Sequence, residues 1–234
     1  MKKKIVFIMN PISGTSSKAA VPSLIDSTLD KEQFEYEIKM TERPGHASEL
    51  AAEARDNHAD IVVAVGGDGT VNEVARSLVH SDSALGILPC GSGNGLARHL
   101  LLPMNLKKSI EIINACKIHD LDYGVINEYP FFCTCGMGFD AFVSMKFAES
   151  GKRGPISYAE NILREGLKYE PETYTLEDET GTKQYKAFLI SCANASQYGN
   201  NAYIAPQASM SDGLMDVVIM EPFDVIEASQ VSFD

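Results

Sequence analysis

Residues Gly66-Gly67-Asp68-Gly69-Thr70 place three glycines around one carboxylate, directly after the apolar run 61–65 and directly before the helical pattern Val71, Val74, Ala75, Leu78. A strand that ends in glycines and turns straight into a helix brings backbone N–H groups close to a ligand, and the positive end of the helix favours an anion there. The pattern predicts a phosphate site. The aspartate narrows the chemistry, because a carboxylate is repelled by bare phosphate unless it orders a metal ion or takes a proton from a nucleophile. Both uses belong to phosphoryl transfer, and Asp68 is assigned one or the other. The plain alternative is a glycine-rich corner with Asp68 as N-cap. The string's position and its companion loops favour the phosphate site.

In open parallel sheets, ligands bind beyond the carboxyl ends of the strands, so the other loops on that edge should share one crevice with the glycine turn. After the first strand comes Asn10-Pro11-Ile12-Ser13-Gly14, after the second Thr41-Glu42-Arg43-Pro44-Gly45-His46, and after the fourth Cys90-Gly91-Ser92-Gly93-Asn94-Gly95. Taken singly each has a bland explanation: Asn-Pro and Pro-Gly start turns, Gly-Ser-Gly is a flexible connection, and His46 reads as a helix-start residue. Together they point to an elongated, phosphorylated ligand such as a nucleotide.

The elements that position these loops alternate in type over about the first 120 residues, as expected of strand-helix units building a mostly parallel sheet. Strands are predicted at 5–9, 36–40, 61–65 and 85–88, with helices carried by Val21, Leu24, Ile25 and Leu29, by Ala47, Leu50, Ala51 and Ala54, after the glycine turn, and near 95–101 and 106–116. Beyond Asp120 the period changes to short β-type runs at 129–134, 174–177, 185–194 and 215–220, interrupted by a helical stretch at about 141–167. Turn signals at Glu179-Thr180-Gly181 and Ser211-Asp212-Gly213 separate them. The pattern predicts an α/β domain over 1–120 and a mainly antiparallel β domain over 121–234, with the boundary near 118–122.

Composition excludes several classes. A formal charge of -12 argues against nucleic-acid binding and against strong recruitment by anionic lipid, so any membrane contact is local and transient. The Lys2-Lys3-Lys4 start is followed by too short an apolar stretch for a signal peptide, and nothing approaches the ~18 apolar residues of a span. The five cysteines, odd in number and lacking paired spacing, read as reduced core residues of a cytoplasmic protein.

Asn10-Pro11-x-x-Gly14, Thr41 with Gly45-His46-Ala47, Gly66 through Glu73, Leu88-Pro89-x-Gly91-Ser92-Gly93-Asn94 and Ser211-Asp212-Gly213-Leu214 together resemble the diacylglycerol kinase catalytic-domain family, which includes bacterial lipid kinases and sphingosine kinases. The resemblance covers nearly the whole chain. It implies a first domain like that of NAD kinase and phosphofructokinase, followed by a β-sandwich that receives the lipid. It implies ATP contacts from Asn10, Pro11, Gly14, Thr41, Gly66, Gly67, Asp68, Gly69, Thr70, Val71, Asn72, Glu73, Gly91, Ser92 and Asn94, and a structural Mg²⁺ held by Asp212 with the carbonyls of Ser209 and Leu214. A hairpin turn is the alternative at Asp212. Asp140 corresponds to the acid that sphingosine kinases aim at the lipid's polar head, or else is the N-cap of a helix starting at Ala141. Lys152 and Arg153 lie where the family places basic residues near the phosphates, or in a solvated loop.

The activity implied is transfer of the γ-phosphate of ATP to a hydroxyl of diacylglycerol or a long-chain base entering between the domains. A soluble kinase of the NAD kinase type and a binding module without turnover are the alternatives. Gly91-Ser92-Gly93-Asn94-Gly95 is closer to the sphingosine-kinase form than to the Gly-Thr-x-Asn-Asp of bacterial diacylglycerol kinases. Family members also continue past the equivalent of Asp234 to a glutamate used as catalytic base, to which no residue here corresponds, so the chain reads as truncated. Phe131, Phe132, Phe139 and Phe142 are open between lipid contact and core, and exposed strand edges in the second domain are candidates for pairing two chains into a homodimer.

Overall fold

Fully buried strands rich in Val and Ile fill both faces of a parallel sheet, and their side chains alternate between two apolar layers. A computed structural model describes residues 2–12, 18–142, 145 and 169–222. Strands β1 (Lys3–Met9), β2 (Phe34–Met40), β3 (Ile61–Gly66) and β4 (Ala84–Pro89) form a four-stranded sheet in the order β2-β1-β3-β4, parallel throughout. Val6, Ile8, Val62, Ala64 and Ile87 face one layer, with α2 (His46–Asp56), α3 (Asp68–Leu78) and α4 (Gly95–His99). Ile5, Phe7, Met9, Val63, Val65 and Leu88 face the other, with α1 (Val21–Thr28) and α5 (Leu106–Ala115). The helix faces are those that the 3.6-residue spacing of apolar positions marks.

The chain forms two compact units, one of residues up to Thr134 together with Asn194–Leu214, the other of Cys135–Ala193 and residues from Met215 onward. The first unit holds the parallel sheet, the small antiparallel pair β5 (Gly124–Ile126) and β6 (Tyr129–Phe131), and the pair β11 (Gln197–Gly199) and β12 (Ala202–Tyr203). In the second unit β7 (Thr134–Gly138), β10 (Leu189–Ala193) and β13 (Asp216–Met220) form one sheet, in which β10 and β13 run antiparallel, and β8 (Glu172–Asp178) pairs with β9 (Gly181–Ala187) as a hairpin. The turn at Glu179-Thr180-Gly181 closes that hairpin: Asp178 accepts from the backbone and hydroxyl of Thr180 at 2.7 and 2.6 Å, and Gly181 takes φ +128°.

Three differences from the sequence reading have physical causes. The run 129–134 is two strands, because Cys133 leaves the ladder to accept from the amides of Asn194 and Ala195 at 2.9 and 3.0 Å. The run 185–194 breaks at Phe188, whose amide bonds to Met220 O at 2.7 Å and whose carbonyl accepts from Phe139 N at 2.9 Å. Strands β5, β11 and β12 are too short for a period to show. Of the helical stretch 141–167, only residues 141, 142 and 145 fall within the described residues. Phe139 and Phe142 pack with Tyr169 and Phe188 in an aromatic cluster, and Phe132 packs against the core of the first unit.

Candidate functional site

Strand register decides which loop residues meet. Met9 pairs with Met40 and with Val65, and Gly66 pairs with Pro89, so the four strands end level. The ladder continues one residue further: Thr41 N donates to Met9 O at 2.9 Å, Asn10 N to Val65 O at 3.2 Å and Cys90 N to Gly66 O at 2.8 Å. Asn10, Thr41, Gly67 and Cys90 therefore share one rim. Helix α1, after β1, packs on one face and α3, after β3, on the other, which makes the β1–β3 boundary a switch point where such sheets bind ligands. Across it Asn10 Nδ2 reaches Thr70 Oγ1 at 3.5 Å.

Gly67 and Gly91 are glycines because their backbones touch. A Cβ on Gly67 would lie 3.0 Å from Gly91 Cα, so the third and fourth loops meet with no room for a side chain. Gly69, exposed in the first turn of α3, has nothing within 4 Å of its Cβ position and opens outward. Val71 N donates to Gly67 O at 3.0 Å and starts the helix. Thr70 and Val71 are buried, Asn72 is half-buried, and Pro11 and Ser92 are exposed on the rim.

Asp68 is half-buried at the first position of α3, and its carboxylate turns toward the fourth loop, accepting from Leu96 N at 3.4 Å. Burial pushes its carboxyl above the usual carboxylate range, opposed by the amides of Leu96, Gly95 and Asn94. Asp68 thus joins the two glycine loops and keeps an elevated proton affinity. Burial, with the charge of Asp68 added, pushes the nearby Cys133 thiol up to about 12. The cysteines of the described residues are unpaired and half-buried.

Two expected nucleotide contacts have other partners. The buried Asn94 takes φ +51° and clips its own loop, Oδ1 accepting from Gly91 N at 2.8 Å and Nδ2 donating to Gly91 O at 2.9 Å. Glu73 caps α2, accepting from Gly45 N and Ala47 N at 3.2 Å each. Both residues shape the rim by fixing loops. Lys18, which sequence reasoning missed, is a buried ammonium 2.6 Å from Asn10 O. A single lysine beside Ser17 carried no pattern. Gly14, Lys152 and Arg153 lie outside the described residues.

The returning segment is the larger omission. Asn200 N donates to Gly93 O at 3.1 Å, and Arg98 reaches Asn201 Oδ1 at 3.4 Å, so residues about a hundred positions downstream support the fourth loop. Ser196 meets His99 Nδ1 twice, through its backbone N, which donates at 3.0 Å to the neutral ring with its proton on Nε2, and through its Oγ, also at 3.0 Å. Burial holds His99 below its ordinary 6.5. The unfolded chain therefore takes up the proton first, and the stability from this contact, complete above 6.5, is lost as pH falls through the lower folded value. Melting between pH 7 and 5 should show a fall of roughly 2–4 °C, the equivalent of one hydrogen bond, that His99→Gln flattens.

At the expected metal turn, Asp212 Oδ1 accepts from Leu214 N at 3.0 Å and Ser209 Oγ accepts from Ser211 N at 3.3 Å. The turn does not close a hairpin, since the strands on either side, β12 and β13, belong to different sheets. A second acid, missed in the sequence, joins it: Asp122 Oδ2 accepts from Gly213 N at 2.8 Å, and Asp122 N donates to Met210 O at 2.7 Å. The buried Asn194 donates to Asp122 O at 2.9 Å while its Oδ1 has no partner among the described residues. No cluster of three or more His, Cys, Asp or Glu occurs among the described residues. Asp140, in the second unit, lies inside a helical turn already begun at Phe139 and accepts from Ala141 N at 2.7 Å. It is therefore not the N-cap of a helix starting at Ala141.

Comparison with known proteins bears on the same regions. Residues 4–126 match the model of the diacylglycerol kinase catalytic domain, and residues 133–230 match that of the YegS C-terminal NAD kinase beta sandwich-like domain. A protein of Escherichia fergusonii described as "Probable lipid kinase YegS" is 28% identical over 207 residues, covering 86% of this chain and 69% of its own length. A diacylglycerol kinase of Staphylococcus saprophyticus is 27% identical over 242 residues, covering 99% of this chain and 77% of its own. The crystal structure of a diacylglycerol kinase from Bacillus anthracis shares the fold, with a TM-score of 0.74 at 20% identity over 97% of this chain and 79% of that one. The glycine rim and the parallel sheet fall within the first matched region, and by that match this chain belongs to the diacylglycerol kinase catalytic-domain family.

Proposed function

We propose that this protein is an ATP-dependent lipid kinase that transfers the γ-phosphate of ATP to a hydroxyl of diacylglycerol or a sphingosine-like long-chain base. The observation that carries the reading is the level rim of four strand ends, where the N-terminus of α3 opens at the sheet's switch point beside a carboxylate of raised proton affinity. Phosphoryl transfer asks mainly for positioning and charge neutralisation. The backbone amides at 66–70 would cradle the polyphosphate, Asn10 and Thr41 would flank it, and Lys18 would add positive charge. Asp68 would accept the proton of the attacking hydroxyl or order the metal.

Two magnesium roles fit the donors present. A hard divalent cation takes oxygen ligands, and the 209–214 turn supplies the Asp212 carboxylate, with Asp122 bonded to the same turn at Gly213 N and Asn194 bonded through its Nδ2 to Asp122 O. Asp212, with the carbonyls of Ser209 and Leu214, would hold a structural ion there. Magnesium bound with ATP would neutralise phosphate charge during transfer. We place the protein in the cytoplasm with transient contact at the membrane surface; among the described residues no helix is long and apolar enough to cross a membrane. The test is a panel assay of the full chain with labelled ATP and diacylglycerols, monoacylglycerols, long-chain bases and NAD. Labelled lipid supports the proposal. Labelled NADP alone, or ATP binding with no transfer to any acceptor, overturns it.

A further inference from the structure

Helix α4 ends in a way that leaves one leucine doubly out of place. Leu101 N donates to Arg98 O at 3.0 Å and Leu102 N to Ala97 O at 2.8 Å, the paired bonds of a helix terminus whose left-handed residue is usually glycine. Here that residue is Leu101, at φ +55° and 88% exposed, although Leu100 and Leu102 on either side pack against the core. A β-carbon in this conformation is unfavourable, and an exposed isobutyl group gains the folded state nothing. The backbone is held by its two hydrogen bonds, so the side chain is presented on a rigid support.

Its surroundings identify the partner. Met104 is also partly exposed, and Lys107 and Lys108 stand exposed in the first turn of α5. These two lysines stand against one acid in α5, Glu111 a turn further along, on a chain whose formal charge is -12. An exposed apolar tip followed closely in the chain by two exposed lysines is a composition suited to the headgroup region of an anionic bilayer. The corner is also tied to the rim, because Asn94 Nδ2 donates to Met104 Sδ at 3.8 Å.

We propose that the α4–α5 corner is a membrane-docking point, with Leu101 entering an anionic bilayer and Lys107 and Lys108 meeting lipid phosphates. The proposal rests on the lipid-kinase reading for its biological sense, and its geometry stands apart from catalysis.

The experiment is sedimentation of the full chain with vesicles of phosphatidylcholine alone or mixed with phosphatidylglycerol. Leu101→Gly should bind the mixed vesicles about ten-fold more weakly with no loss of thermal stability, since glycine adopts this φ freely. Lys107→Gln with Lys108→Gln should also lose about ten-fold on mixed vesicles, with no change on phosphatidylcholine. Equal vesicle binding by wild type and Leu101→Gly overturns the proposal. So does failure of the wild type to bind, or a change confined to self-association, which would assign the corner to a second copy of the chain. Leucine-dependent vesicle binding by a protein that phosphorylates no lipid leaves the docking point standing and removes the kinase reading.

Discussion

Asp68→Asn is expected to leave the protein folded and to reduce phosphate transfer from ATP to lipid by about 100-fold or more, the range lost with a general base. Asparagine keeps the acceptor that Leu96 N meets at 3.4 Å, so the two glycine loops stay joined. The raised pKa sets the sign of the stability change. A folded-state carboxyl that binds its proton more tightly than the unfolded one subtracts stability when ionised, so removing the charge should leave Tm unchanged or higher at neutral pH. The Cys133 thiol offers an independent check: held up at about 12 partly by the charge of Asp68, it should ionise more readily in the variant, measurable by thiol alkylation against pH. Asp68→Ala serves as the contrast, because it removes the acceptor as well and should loosen the fourth loop. Full turnover by a well-folded Asp68→Asn protein would show that the carboxylate serves only as a clasp between loops.

That clasp illustrates what a sequence conveys and what it withholds. The parallel sheet was legible because a strand buried on both faces needs an unbroken apolar run, and 61–65 and 5–9 are such runs. The meeting of the third and fourth loops was legible because close backbone approach demands glycine, and Gly67 facing Gly91 is such an approach. Side-chain direction was not. Residue type alone does not tell whether Asn94 turns outward or back onto Gly91 in its own loop, and Glu73 caps α2 only because a different loop ends beside it. The support from Ser196, Asn200 and Asn201 was hidden more deeply still: it joins residues about a hundred positions apart through single hydrogen bonds, which leave no periodic trace. Asp122 escaped for the same reason, its partner Gly213 lying 91 positions away.

Two alanine substitutions in the rim should move stability in opposite directions while both weaken nucleotide binding. At Gly91 a Cβ would land on Gly67 Cα and come within 2.8 Å of Asn94 Oδ1, and backbone offers no flexible end to yield. Overpacking of this kind costs about 1–3 kcal/mol, so Gly91→Ala should melt several degrees lower and lose ATP binding because the loop moves. At Gly69 the Cβ position is empty to 4 Å, and the residue sits in the first turn of α3, where alanine is favoured over glycine by about 0.5–1 kcal/mol. Gly69→Ala should therefore melt at the same temperature or roughly 2–4 °C higher. If the polyphosphate lies over this turn, the added methyl occupies the space where phosphate oxygens approach the amides, and ATP affinity should fall by about ten-fold or more. Thermal unfolding and ATP titration of both proteins separate scaffold from site, since loss of binding without loss of stability arises only where the ligand itself meets the substituted atom. Wild-type ATP affinity in Gly69→Ala would place the nucleotide away from the third strand's tip and leave the glycines as packing alone.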